Sequence, residues 1–282
     1  MRQSIRRVAA VALCLLASAC AEDGKETVER AFRDVNVVDE TNLNDVMLTV
    51  ADPGEAVSYF ARASSANPDR IDLQRGLAKS LVRAKRHTEG AAAWAKVVAM
   101  PGATADDKVE LADAQIRNGD WTRAEQTLDS VPPTHETFQR YRLEAMIADA
   151  NKDWTTADSY YQTAVGLTTQ PAGVMNNWGY SKLTRGDFSG AERLFGEAIR
   201  QDPSLFTAKN NLVLSRGAQK TYSLPVIPMD QTERAQLLHT MALSAIKQGD
   251  VSTGKQLLRE AIATHPQHFE EAVRSLRALE AA

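Results

Sequence analysis

Cysteine is scarce in this 282-residue chain, and its two copies, Cys14 and Cys20, exclude a disulfide framework. Cys14 lies inside the apolar run Val8 to Ala17, which reads as part of an export signal and leaves with it, so the mature chain keeps Cys20 alone. Long apolar runs are equally scarce. Val8 to Ala17 is too short to span a bilayer as a mature helix, and no later run is long enough. Basic charge is in deficit: of 33 Lys and Arg residues, Arg2, Arg6 and Arg7 precede Cys20, leaving 30 against 36 Asp and Glu, a net of −6 with His neutral. That balance argues against general nucleic-acid binding, which gains affinity by neutralising phosphates. No nucleophile elbow, zinc-protease motif or recognisable carboxylate pair occurs. The expectation is a protein that is not an enzyme and carries neither cofactor nor metal.

The first twenty residues do carry a signal. Arg2, Arg6 and Arg7 form a basic start, and Ala17-Ser18-Ala19 supplies small residues for cleavage. Leu16-Ala17-Ser18-Ala19-Cys20 resembles the lipobox of bacterial lipoproteins, with Ala17 where Leu is more usual. The bland alternative is an ordinary cleaved signal followed by a chance Cys; against it, a lone thiol has little to do in an oxidising compartment. Residues 1–19 are thus read as a lipoprotein signal peptide and Cys20 as the lipidation site, giving an acylated anchor strong enough to hold the body at a membrane. Residues 20–37, with Glu22, Asp23, Lys25, Glu26 and Glu29, are a lipid-anchored tether. By resemblance to lipoprotein sorting rules, Ala21 after the Cys favours the outer membrane, facing the periplasm.

A helical hairpin is legible between Val174 and Pro203. Apolar helical patterns through Trp178, Gly179 and Leu183 and through Ala191, Phe195 and Ala198 flank Arg185-Gly186-Asp187. Gly186 suits a helix end with positive φ, and Asp187 and Ser189 can accept the free N–H groups of the next helix. Gly179, Ala191 and Ala198 allow close approach, with Trp178 and Phe195 filling the space between. The hairpin resembles a tetratricopeptide repeat, whose period is about 34 residues. Stepping back from Gly179 finds Ala145, Ala112, Ala78 and Asn44 at intervals of 34, 33, 34 and 34. Asn44 suits an end repeat; around Ala145 the register is open by one residue, because Leu143 competes. Trp121, Trp154 and Phe188 each follow a turn Asp and read as packing residues. Beyond Pro203 a first helix anchored by Val213 lacks its partner: residues 218–230, with Pro225 and Pro228, form an irregular excursion before a last unit anchored by Ala242. The expected fold is all-α, a tetratricopeptide-repeat solenoid over 38–268 with a capping helix at 269–282; the resemblance implies a right-handed superhelix of helical hairpins with a concave groove.

Two tempting motifs dissolve into that register. Gly249 to Gln256, GDVSTGKQ, misses a phosphate-binding loop because Gln256 stands where Ser or Thr must hold magnesium, and a helix precedes it. Gly249-Asp250 is the hairpin turn instead. His265 and His268 flank Pro266 with no third His or Cys beside them, and read as exposed cap residues.

In this repeat class the first-helix positions three before and one, four and five after the small anchor face the groove. They select Arg75, Lys79 and Arg83, a cationic stripe spaced i, i+4, i+8, with Arg142 as an extension. They also select Asn176, Tyr180 and Asn210, able to hold a peptide backbone. The stripe either solvates a helix face or receives an acidic or carboxylate-ended partner peptide. The runs NNWGYSKLTRGDFSGAERLF from Asn176, TAKNNLVLSRGAQ from Thr207 and ERAQLLHTMALSAIKQGD from Glu233, with the Pro225 to Pro228 excursion, resemble the TadD-type lipoproteins of tight-adherence pilus systems. That resemblance implies an outer-membrane scaffold for assembling a Tad-type pilus secretion machine, pilotin-like, with the pilus secretin or another Tad component as protein partner. The alternatives are a scaffold for outer-membrane protein insertion and a recruiter of a cell-wall enzyme.

Overall fold

The computed structural model describes residues 43–281, in two compact units, 43–118 and 119–281. The signal peptide, Cys20 and the 20–37 tether lie outside the described residues. Among those described, the regular elements are all helical, and no helix is long and apolar enough to cross a membrane.

The first unit comprises α1 (43–49), α2 (Pro53–Ala66), α3 (Ile71–Arg83), α4 (His87–Val98) and α5 (Ala105–Arg117). Asp52 caps α2, accepting from the N–H groups of Gly54 and Glu55, with Pro53 at the first helical position where a missing N–H costs nothing. Ala78 and Trp94 are buried with Val97, Leu111 and Ala114 in a core shared by α3, α4 and α5. At the outer end Asn44 remains half-exposed and its Oδ1 accepts from Tyr59 Oη at 2.8 Å, as suits a terminal repeat whose anchor has little to pack against.

The second unit runs α6 (Trp121–Asp129), α7 (Phe138–Ala150), α8 (Trp154–Gly166), α9 (Ala172–Thr184), α10 (Phe188–Gln201), α11 (Phe206–Ala218), α12 (Gln231–Lys247), α13 (Val251–Thr264) and α14 (Glu270–Glu280). In both units the anchor falls five residues before the end of its helix: Ala78, Ala112, Ala145, Gly179, Val213 and Ala242. Seven residues after each anchor the backbone turns left-handed, at Lys85, Gly119, Lys152, Gly186, Lys220 and Gly249, with φ between 59° and 87°. The position around Ala145 obeys the same offsets, so the repeat there carries no shift. Lys at three of these turns bears strain that Gly avoids. At Gly186 the motif is closed by Asp187 N–H to the Lys182 carbonyl, 2.9 Å, and Asp187 Oδ1 then accepts from Gly190 N–H at 3.0 Å to start α10. The Ser189 side chain, expected to share this role, is exposed and takes no part.

Within the α9–α10 hairpin, Phe195 is fully buried and its ring lies directly over Gly179. Trp178 departs from expectation. It does not fill this hairpin but faces back towards α8, stacked on Tyr161 at 6.2 Å with Nε1 donating to Asp158 at 2.6 Å. The indole N–H needs an acceptor when half-buried, and Asp158 of α8 supplies it.

The excursion after Lys220 stands where a second helix is missing. Ile227 packs on the core of α10 and α11, while Tyr222, Leu224 and Met229 pack on the core that includes Val213, α12 and α13. The segment therefore bridges two cores and lines none of the clefts described below. Lys209, 2% exposed, ties α11 to α12 through both oxygens of Glu233, at 2.9 and 2.8 Å. Glu233 also closes the capping box of Asp230 at the start of α12.

A methyl group at Gly179 would come within 2.7 Å of Phe195 Cε1, whereas one at Gly173, on the same helix, would meet nothing. Gly179→Ala should destabilise the protein by about 1–3 kcal/mol through overpacking. Gly173→Ala should be neutral or stabilising, by up to about 1 kcal/mol, because Ala favours helix. Urea denaturation of the two variants checks the pair.

Candidate partner-binding cleft

On α3 the three cations of the predicted stripe share a face but not a fate. Arg75 grips Asp107 of α5 with two parallel bonds, Nε to Oδ1 and Nη2 to Oδ2, both 2.7 Å, and reaches the Gly102 carbonyl at 3.1 Å. Arg83 donates to the carbonyls of Met47 and Leu48, near the end of α1, and of Ala51 just beyond it, at 3.0, 2.7 and 3.0 Å. Lys79 alone is exposed without a bond to another described residue. The stripe is thus corrected: guanidinium groups that could hold a carboxylate-ended peptide are occupied in fastening neighbouring repeats, because a planar five-donor group suits a helix end or a carboxylate of its own chain equally well. Burial works against the charge of Asp107, but the bonds from Arg75 and from Thr104 hold its carboxyl below the usual range. Arg142 on α7 is half-buried.

The second unit contains a cleft of about 510 Å³. It runs across α7, α9 and α11 and is walled by Trp121, Trp154, Tyr161 and Tyr180, with Met146 between them. Its polar rim includes Asn176, Asn177, Thr184 and Asn211. Asn176 and Tyr180, selected from sequence, meet here: Asn176 Oδ1 accepts from Asn211 Nδ2 at 3.0 Å, and Tyr180 is 52% exposed. Trp121 and Trp154 were expected to pack; instead both sit at the first position of a second helix, where their rings form the cleft wall. Arg185 lies over Trp154, 5.6 Å from the ring centre.

Two carboxylates near this cleft have opposite surroundings. Asp158 accepts from Trp178 Nε1, from Lys182 Nζ at 3.0 Å and from Arg185 Nη2 at 2.6 and 2.8 Å. Burial raises its pKa, and these three donors more than offset that, leaving it below its ordinary value. Asp149 lines the cleft and receives only hydroxyls, Tyr161 Oη at 2.9 Å and Ser181 Oγ at 2.6 Å. Burial pushes its carboxyl up, and the two hydroxyls recover part of the cost.

Asn210 does not join the same cleft. It accepts from Thr240 Oγ1 at 2.8 Å and lines a neighbouring one with Phe206, His239, His265, His268 and Phe269. His239, scattered in sequence, is thereby brought beside the pair His265 and His268; His265 is stacked on Phe269 at 4.8 Å. Among the described residues no group of three or more His, Cys, Asp or Glu is arranged to hold a metal ion.

Helical hairpins of this length, set by a small anchor and a left-handed turn and exposing a polar and aromatic cleft, define a repeat scaffold for protein–protein interaction. Residues 48–108 and 236–268 each match a family model described as tetratricopeptide repeat. Among solved structures, the chain is similar to the Cut9–Hcn1 hetero-tetramer of the APC/C (TM-score 0.61, 14% identity, 84% of this chain and 48% of that one). It is also similar to the human IFIT1 dimer with PPP-AAAA (TM-score 0.56, 14% identity, 80% and 59%). A tetratricopeptide repeat protein from Parabacteroides merdae ATCC 43184 matches at TM-score 0.51 and 12% identity, over 88% and 96%. The chain spans about half to three fifths of the first two. No curated protein sequence matches it.

Two substitutions separate the roles of these carboxylates. Arg75→Ala should cost about 1–2 kcal/mol at neutral pH, since the pair is only partly shielded from water. Asp107 has a lowered folded pKa, so that contribution is present above its unfolded pKa and is lost as pH falls through the folded value. Asp149 has a raised folded pKa, so its contribution is present below the unfolded pKa and lost as pH rises through the folded one. Asp149→Asn, which stays neutral, should therefore raise the thermal midpoint at pH 7, with a gain that shrinks on acidification. Melting curves across the acid range check both signs.

Proposed function

We propose that the protein is a lipid-anchored scaffold of the outer membrane, facing the periplasm, that helps assemble a Tad-type pilus secretion machine by holding a segment of the secretin or of another pilus component. The observation that carries the reading is the cleft of the second unit, where Asn176, Asn211 and Tyr180 line an aromatic trough of about 510 Å³. Amide side chains along such a trough can pair with a partner's backbone N–H and C=O groups, so binding needs no particular side-chain sequence at those positions. The lipobox-like run ending at Cys20 and the TadD-like runs from Asn176, Thr207 and Glu233 support the location and the system. The role is one of positioning and requires no catalytic group.

In envelopes of a strain carrying the gene, Asn176→Ala/Tyr180→Ala should leave the protein membrane-bound while abolishing its crosslinks to the secretin and reducing secretin oligomers several-fold. Cys20→Ala should release the protein from the outer-membrane fraction. Unchanged secretin oligomers and pili on deletion of the gene would remove the pilus role.

A further inference from the structure

We propose that the same cleft selects a basic side chain, a lysine or arginine carried by the bound segment, with Asp149 as its counter-ion; this rests on the cleft being the partner site. Among the described residues lining the cleft, Asp149 is the one that carries a formal charge. Both its hydrogen-bond donors are neutral hydroxyls, so neither cancels that charge. Each carboxylate oxygen accepts one of them and has room for another donor.

Two nearby cations are committed elsewhere. Arg185 acts on Asp149 through space but places its bonds on Asp158 and on the Trp154 carbonyl. Lys182 bonds Asp158 and lies 3.3 Å from Asp187.

The walls complete the match. Trp121, Trp154 and Tyr180 offer ring surface to a cation, and Met146 offers apolar surface to an aliphatic stem. A neutral side chain here would bury Asp149 further without compensation, and an acidic one would meet like charge. A basic one gains a charge-assisted bond and relieves the cost that burial imposes on the carboxylate. The preference is opposite in sign to the acidic peptide that the stripe on α3 suggested.

The test is selection of displayed random peptides on the full chain, followed by titration of synthetic copies with tryptophan fluorescence as the readout. Enrichment of Lys or Arg at one position is expected. Replacing that residue by Met should weaken binding about tenfold, as loss of a shielded charge pair does. Asp149→Asn should weaken the basic peptide by a similar factor and leave the Met version unchanged. The Asn variant is expected to be at least as stable as the wild type at pH 7, and the enrichment on wild type needs no variant at all. Peptides that depend on Asn176 and Tyr180 but show no basic enrichment, or an acidic one, would overturn the charge preference and leave the cleft reading standing. Recovery of no peptide sensitive to Asn176, Tyr180 or Asp149 would overturn both.

Discussion

A helical hairpin of this length cannot bury its apolar face by itself, so the close approach of paired helices at one small residue per first helix is the contact on which the structure depends. At Gly179 that approach is tight enough for the Phe195 ring to occupy the space of a missing side chain. Because the anchor fixes where the first helix meets its partner, it also fixes the turn seven residues on. The chain accepts Lys in a left-handed conformation at positions 85, 152 and 220 to keep that spacing. The local strain of about 1–2 kcal/mol at each is outweighed by burying a hairpin's apolar face, where one Phe or Leu contributes about 1.5–3 kcal/mol.

Once the helices are set by their small residues, their other faces are free for polar work, and charge is divided between two tasks. Arg75 with Asp107 and Lys209 with Glu233 bond side chains of different helices, while Arg83 meets the carbonyls that end α1. Asp158 gathers an indole, an ammonium and a guanidinium into one knot. Asp149, on the preceding first helix α7, accepts among the described residues from hydroxyls alone, and it lines the cleft. Asp52, Asp153, Asp202 and Asp250 also accept only from neutral groups, but they do so at helix ends, whereas Asp149 does so inside a cleft.

The fold was largely legible because its signal is periodic. Ala78, Ala112, Ala145, Val213 and Ala242 are all fully buried, as a repeat of small or apolar anchors requires. The site was legible only in part, and the reasons are specific. Groove-facing offsets find Asn176 and Tyr180, and the same offsets applied to α7 reach Met146 and Asp149, which lie one and four residues after Ala145. Of that set Arg142 alone reads as groove-facing in the sequence, because it continues the cationic stripe. Trp121 and Trp154 were misassigned because an aromatic after a turn Asp has the same sequence signature whether its ring turns inward or towards the groove. The occupation of Arg75 and Arg83 depends on Asp107 and on the carbonyls of α1, which are 32 and about 35 residues away; no local pattern marks such partners.

The irregular stretch after Lys220 follows from the same constraint. Alpha-helix α11 ends with the normal anchor and the normal turn, so the departure begins only after the repeat's geometry has been completed. An unpaired first helix would leave Leu212 and Val213 facing water. The chain instead lays Leu224, Ile227 and Met229 across the two adjoining cores, with Pro225 and Pro228 preventing a helix; between them a tight turn at Val226 is closed by Ile227 N–H to the Pro225 carbonyl at 3.1 Å. An irregular segment of this kind supplies less apolar contact than a helix, and the Lys209–Glu233 pair helps to hold α12 in place. Val226, between the two prolines, points fully into solvent. The missing helix is therefore replaced as packing, and the excursion leaves the cleft on α7, α9 and α11 open.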